Sequence, residues 1–247
     1  MSKKLIAFIT ASCPDPLFTI DAIHTLSACG ADAIELGIPF SDPVADGPII
    51  EKASQIALAN GFKMDQIFDI SAKTASQTDL FWMGYFNPFY RRGIEATIRD
   101  AATLGVKGFI IPDLPFEESV RYAPLFEGSG VANITFVAPT DSSERIHHIA
   151  KDARGFIYMV AYTGITGAGG EEDLGRVIAD VRDATSTPLY IGFGVNAKTA
   201  KTKAQGVDGV IVGSAFMEIL INDTLTNTQK IAKMGDLARI IKDEINA

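Results

Sequence analysis

Residues 94–111 read Ile94-Glu95-Ala96-Thr97-Ile98-Arg99-Asp100-Ala101-Ala102-Thr103-Leu104-Gly105-Val106-Lys107-Gly108-Phe109-Ile110-Ile111. Ile94, Ile98, Ala101, Ala102 and Gly105 recur at helical spacing, so the first half predicts an amphipathic helix. Gly105 suits the left-handed residue that closes such a helix. Gly108–Ile111 is then too short and too continuously apolar for a half-exposed strand, and predicts one covered on both faces. The same unit recurs along the chain. Further strands are expected at Leu5–Thr10, Ala33–Leu36, Leu80–Tyr85, Asn133–Val137, Phe156–Val160, Leu189–Gly192 and Gly209–Val212. Glycines follow helix ends at Cys29-Gly30, Ser129-Gly130 and Gln205-Gly206. Parallel neighbours need long crossovers, so this alternation implies a parallel sheet. Eight strands in about 250 residues fit a single (β/α)8 TIM barrel.

The 247 residues hold no Pro/Ser-rich linker, low-complexity tract or charge block, so residues 1–247 are expected to form one barrel domain. The long gap between the second and third strands has room for a loop and two helices, Pro48–Asn60 and Asp65–Ala75. A last helix is expected over Thr228–Ile245. The charge balance is 22 basic against 30 acidic residues, net −8, which argues against nucleic acid and anionic membranes as partners. It does not exclude a phosphorylated small molecule, because backbone N–H groups can hold phosphate. Cys13 and Cys29 give neither a disulfide framework nor metal spacing and suit buried thiols in a reducing cytoplasm. Lys3-Lys4 before Leu5–Ile9 faintly resembles a leader, but the apolar run is short of the roughly 7–15 residues required. No stretch approaches the roughly 20 apolar residues of a membrane span.

In this fold the chemistry sits at the C-terminal ends of the strands. Glu35 lies near such an end, inside an apolar strand, pointing into the barrel or toward the helices. It is either held there in a buried ion pair or used, with a raised pKa, to move protons. Asp46 follows in a loop punctuated by Pro39, Pro43, Gly47 and Pro48. It is either a turn former or a second catalytic carboxylate. The loops after the late strands are glycine-rich: Thr163-Gly164-Ile165-Thr166-Gly167-Ala168, Gly192-Phe193-Gly194 and Gly213-Ser214. Barrels often bind phosphate between the loops after strands seven and eight. Gly194, Gly213 and Ser214 would offer backbone N–H groups there, and the Ser214 hydroxyl a further donor. His24, His147 and His148 form no site, and Trp82 and the methionines read as core.

Glu35-Leu36-Gly37-Ile38-Pro39-Phe40-Ser41-Asp42-Pro43 followed by Ala45-Asp46-Gly47-Pro48 resembles the signature of the tryptophan synthase α subunit family. Met83-Gly84-Tyr85 with Asn87-Pro88, Ile111-Pro112-Asp113-Leu114-Pro115 with Glu117-Glu118-Ser119, Thr163-Gly164-Ile165-Thr166-Gly167-Ala168 and Gly192-Phe193-Gly194 agree in order, covering nearly the whole chain. The resemblance implies a carbon–carbon lyase of tryptophan biosynthesis that splits indole-3-glycerol phosphate into indole and glyceraldehyde 3-phosphate. The family's acid–base glutamate falls on Glu35, its second carboxylate on Asp46, and a tyrosine close to both on Tyr158. Phe8 and Phe193 fall against the indole ring. Thr166, Gly167 and Gly192 join Gly194, Gly213 and Ser214 in binding substrate and phosphate. The resemblance further implies no cofactor or metal in this chain and a β subunit carrying pyridoxal phosphate, joined in an αββα complex. A stand-alone lyase releasing free indole and a non-catalytic phosphate-binding regulator are the competing readings. Two departures stand out. The first strand begins almost at once, so the helix that commonly plugs the barrel's bottom is expected to be missing or vestigial. Ala161 and Tyr162 replace a common Ser and Arg, which bears on closure of the sixth loop.

Overall fold

The computed structural model describes residues 2–161 and 171–247. Nine parallel strands form one sheet: β1 (Lys4–Thr10), β2 (Ala33–Gly37), β3 (Asp79–Met83), β4 (Gly108–Ile110), β5 (Ala132–Asn133), β6 (Thr135–Val137), β7 (Ile157–Val160), β8 (Leu189–Gly192) and β9 (Gly209–Val212). Their order is β5-β4-β3-β2-β1-β9-β8-β7-β6. The ends β5 and β6 are consecutive in sequence, separated only by Ile134, so the sheet curls into a nearly closed barrel.

The strand expected at Asn133–Val137 is therefore two pieces. Ala132 and Asn133 pair with β4, whereas Thr135–Val137 pair with β7. Ile134 still donates its N–H to Phe109 O and turns its side chain into the barrel. The strand expected at Leu80–Tyr85 ends at Met83, because Tyr85 caps a short helix, Phe86–Arg92. Asn87-Pro88-Phe89 lies inside that helix despite its turn-like Asn-Pro pair. Phe86 N–H donates to Asp113 Oδ1 at 2.8 Å, satisfying one of its first-turn donors.

Most crossovers match their sequence signals. Asp15 caps helix Pro16–Ala28 by accepting from Phe18 N–H, with Pro16 in the first turn. Helices Pro48–Ala59 and Asp65–Thr74 fill the gap after β2. Helix Ile94–Leu104 closes on Gly105 at φ +82°, a left-handed conformation that glycine takes cheaply. The last helix, Asn227–Asn246, starts with a capping box between Thr226 and Gln229 and packs on Pro16–Ala28.

Strand alternation builds two cores. Outward residues such as Leu5, Ile34, Leu80 and Trp82 are buried under the helices, and Trp82 donates to Ser71 Oγ at 2.8 Å. Inward residues Ile6, Ala33, Phe81, Ile110, Ile134, Phe156, Tyr158 and Ile211 fill the barrel. Ala33 belongs to this inner set, so Glu35, two residues on, points into the barrel as well. Cys13 and Cys29 are buried free thiols.

Candidate active site

The inward alternation of β1, β2, β7 and β9 converges on a cavity of about 480 Å3 at the C-terminal ends of the strands. Phe8, Glu35, Asp46, Tyr158, Phe193, Gly194, Gly213 and Ser214 all line it. Thr166 and Gly167 lie outside the described residues, as does Tyr162. Gly192 does not line the cavity. It lies under Tyr158, and a Cβ there would come within 2.6 Å of the Tyr158 ring carbon bearing the hydroxyl. A Cβ at Gly37 would similarly collide with the Phe8 ring, so this glycine lets Phe8 lie across β2.

Glu35 is 2% exposed. It makes no ion pair among the described residues, and its Oε1 lacks a hydrogen-bond partner. The structural alternative, a carboxylate held by a buried cation, is thereby overturned. Burial alone pushes the Glu35 carboxyl up to about 8, so it carries a proton at neutral pH.

Asp46 sits two residues before the helix Pro48–Ala59, whose cap is Gly47 and receives no side-chain hydrogen bond. The Asp46 carboxyl makes no hydrogen bond to its own loop among the described residues, as a turn former would. Burial pushes it up to about 6, opposed by a hydrogen bond from Tyr85 and reinforced by the like charge of Glu51. It is therefore mostly ionised at neutral pH. Tyr158, 8% exposed and stacked on Phe136 at 5.1 Å, is held well above the usual phenol range by burial and then by Glu35 and Asp46. Its hydroxyl stays protonated and can donate.

Tyr85 was not legible as a site residue. Its hydroxyl accepts from Ala45 N–H at 2.9 Å, and its ring stacks on Phe40 at 5.3 Å. It thus grips the Asp46 loop at two points, and it hydrogen-bonds Asp46 itself. The apolar walls Met83, Phe136, Val160 and Ile211 were missed too, since mid-strand apolar residues read as core. Phe193 is 42% exposed, with φ +73°, a conformation costly for a residue with a Cβ. Such strain persists where surrounding structure enforces it, often at a binding site.

The far end of the cavity is glycine-lined. Gly213 precedes helix Ser214–Leu220 and its carbonyl accepts from Phe216 and Met217 N–H, while the Ser214 and Ala215 N–H groups have no carbonyl partner among the described residues. Gly194, at φ +69°, has open space around its Cβ position. The histidines lie elsewhere: His147 bonds Asp183 at 2.9 Å on the surface, and His24 sits on helix Pro16–Ala28. No three His, Cys, Asp or Glu side chains converge as a metal site among the described residues.

The model of the family described as Tryptophan synthase alpha chain matches residues 1–246. A tryptophan synthase alpha chain from Wolinella succinogenes is 52% identical over 246 residues, covering 99% of this chain and 96% of that one. One from a Picosynechococcus species is 41% identical, covering 98% and 93%. Among solved structures, a tryptophan synthase from Mycobacterium tuberculosis superposes with a TM-score of 0.89 at 30% identity, covering 100% of this chain and 93% of that one.

Proposed function

The chain belongs to the tryptophan synthase alpha chain family, and from that premise we propose how its pocket performs the family's reaction. That reaction is the lyase step of tryptophan biosynthesis that cleaves indole-3-glycerol phosphate to indole and glyceraldehyde 3-phosphate, and the family works with a beta chain in a heterotetramer.

The cleavage is a retro-aldol step. Indole C3 gains a proton, the ring becomes indolenine-like with positive charge on nitrogen, and the adjacent glycerol hydroxyl loses its proton as the C–C bond breaks. Protonated Glu35 delivers the proton to C3, and as a carboxylate it takes the hydroxyl proton, so it ends the cycle as it began. Asp46, ionised, accepts the hydrogen bond from the indole N–H and stabilises that nitrogen as charge develops. Tyr85 positions Asp46, and Tyr158 orients Glu35 or the substrate. Phe8 and Phe193 hold the indole ring. Gly194, Gly213, Ser214 and, from the sixth loop, Thr166 and Gly167 hold the phosphate with backbone and hydroxyl donors, with Gly192 supporting this wall through Tyr158. A chain of net charge −8 can in this way hold a dianion without a lysine.

One observation carries this reading. A single cavity holds one carboxyl pushed up to about 8 and another pushed only to about 6, an acid and a base at the same pH. The chain works as one barrel domain in the cytoplasm, needs no cofactor of its own, and passes indole to the pyridoxal phosphate of its β partner in an αββα complex. Among the described residues no helix is long and apolar enough to cross a membrane.

The test is indole release by Glu35→Gln and Asp46→Asn. Gln keeps shape and hydrogen bonding but moves no proton, so cleavage should fall by about 10²–10⁴-fold or more while substrate still binds. Asp46→Asn should be severely impaired too, because an amide cannot balance a positive nitrogen. Near wild-type turnover by folded Glu35→Gln would remove its assigned role.

A further inference from the structure

A threonine just before a short helix ordinarily caps it, its hydroxyl oxygen accepting from a first-turn N–H. Thr199 stands at that position before helix Ala200–Lys203, yet its side chain makes no such bond. The hydroxyl is turned back on the loop after β8. It donates to Gly194 O at 2.7 Å and accepts from Asn196 N–H at 3.0 Å. Gly194, Val195 and Asn196 line the cavity, whereas Thr199 does not. One hydroxyl outside the cavity thus uses its donor and an acceptor site to tie down backbone that faces into it.

That backbone needs an external hold. Phe193 and Gly194 are both left-handed, at φ +73° and +69°. The conformation is costly for Phe193, and Gly194, lacking a Cβ, is free to leave it. A Cβ at Gly194 would meet nothing within 4 Å, so packing does not confine this residue either. The bond from Thr199 draws the Gly194 carbonyl toward a residue outside the cavity. The Gly194 N–H has no acceptor among the described residues, so it is left to a ligand. Without the hold, rotation about Gly194 can swing the carbonyl oxygen inward, where its partial negative charge would oppose a phosphate dianion.

The surrounding turn does not depend on this hydroxyl. Asn196 shapes it, its Oδ1 accepting from Lys198 and Thr199 N–H at 2.9 and 3.2 Å and its carbonyl from Ala200 N–H at 2.9 Å. Val195 and Ala200 anchor it in the core.

Resting on the phosphate-binding reading of this loop, we propose that Thr199 is a positioning residue for the substrate's phosphate. It touches no ligand, and it sets phosphate affinity by holding the Gly194 backbone with its donor free and its carbonyl engaged elsewhere.

The test pairs Thr199→Val, which keeps the shape and removes the hydroxyl, with Thr199→Ser, which restores it. In the complex with its β subunit, Thr199→Val should raise KM for indole-3-glycerol phosphate about five- to tenfold and leave kcat within about twofold of wild type, because binding common to ground and transition states is lost. Titration of the full chain should show a similar loss for glyceraldehyde 3-phosphate and a smaller one for indole, felt only through Phe193. Thr199→Ser should recover wild-type values. Equal losses for indole and glyceraldehyde 3-phosphate, or no recovery in Thr199→Ser, would make Thr199 merely structural and overturn the proposal. Gly213→Val separates this role from the reading beneath it. Phosphate affinity lost in Gly213→Val but kept in Thr199→Val overturns the role of Thr199 alone. Affinity kept in both overturns the phosphate end as well.

Discussion

A carboxyl buried without a partner keeps its proton at neutral pH, whereas one hydrogen-bonded near a pocket's edge gives it up. Glu35 and Asp46 differ in this way, and Tyr85 contributes to the difference. Its hydrogen bond favours the ionised Asp46 and partly offsets the burial that pushes this carboxyl up to about 6. Tyr85→Phe removes that bond, so the Asp46 pKa should rise and the acidic limb of kcat/KM should move to higher pH. Activity should then fall several-fold at pH 6.5 and much less at pH 8. If Tyr85 only steadied the loop through Ala45 N–H, the loss would be equal at both values. A Tyr85→Phe profile parallel to wild type, measured where Asp46→Asn is inactive, would confine Tyr85 to that structural task. Glu35 and Asp46 were legible in the sequence because a charge inside an apolar strand and an acid among prolines are locally anomalous. Tyr85 was not, because an aromatic residue closing an apolar run looks like core.

At the scale of elements, periodicity and punctuation placed the strands and the helices after β2 to within a few residues. The glycine at 105 marked its helix end because its left-handed conformation is a local requirement. Two features escaped. The helix Phe86–Arg92 contains Asn87-Pro88 and is followed by Gly93, all turn-like, and one of its first-turn donors is met from afar by Asp113. The break at Ile134 arises because a short strand must leave β4 and join β7 for the barrel to close, a long-range demand with no local signature. The walls Met83, Phe136 and Ile211 were hidden because core and pocket share one alternating face. The proposed phosphate end makes its own prediction. A Cβ at Gly213 would already sit 3.3 Å from Ile50 and 3.5 Å from Phe8. Gly213→Val adds two methyl groups that crowd those side chains and block approach to the backbone. Glyceraldehyde 3-phosphate and substrate should bind at least about tenfold more weakly in titration, with indole weakened less, only through the crowded Phe8. Equal losses for all three would indicate general misfolding.

At the scale of the molecule, the loop carrying Asp46 and the helix Phe86–Arg92 share one face of the barrel, linked through Tyr85. That face exposes Val44 at 81% and Tyr90 at 62%, large apolar surfaces beside the pocket. It is the face we assign to the β subunit. A partner seated there would bear on Asp46 through the Tyr85 link and favour the catalytically competent placement of that carboxylate, raising turnover by population shift without adding a catalytic group. Indole release should therefore be low for the chain alone and rise about tenfold or more as β subunit is titrated to saturation. High activity alone, unchanged by saturating partner, would leave a stand-alone lyase.

The central claim is that Glu35 works protonated while Asp46 works ionised. Its most direct test is the pH dependence of kcat/KM for indole-3-glycerol phosphate cleavage by the complex with its β subunit. Asp46 must lose its proton and Glu35 must keep its own, so the profile should be a bell. It should rise through about 6 and fall through about 8. Asp46→Asn should remove what activity remains without leaving the acidic limb in place. A profile flat from pH 5 to 9, or one that keeps rising through pH 8, would contradict the account.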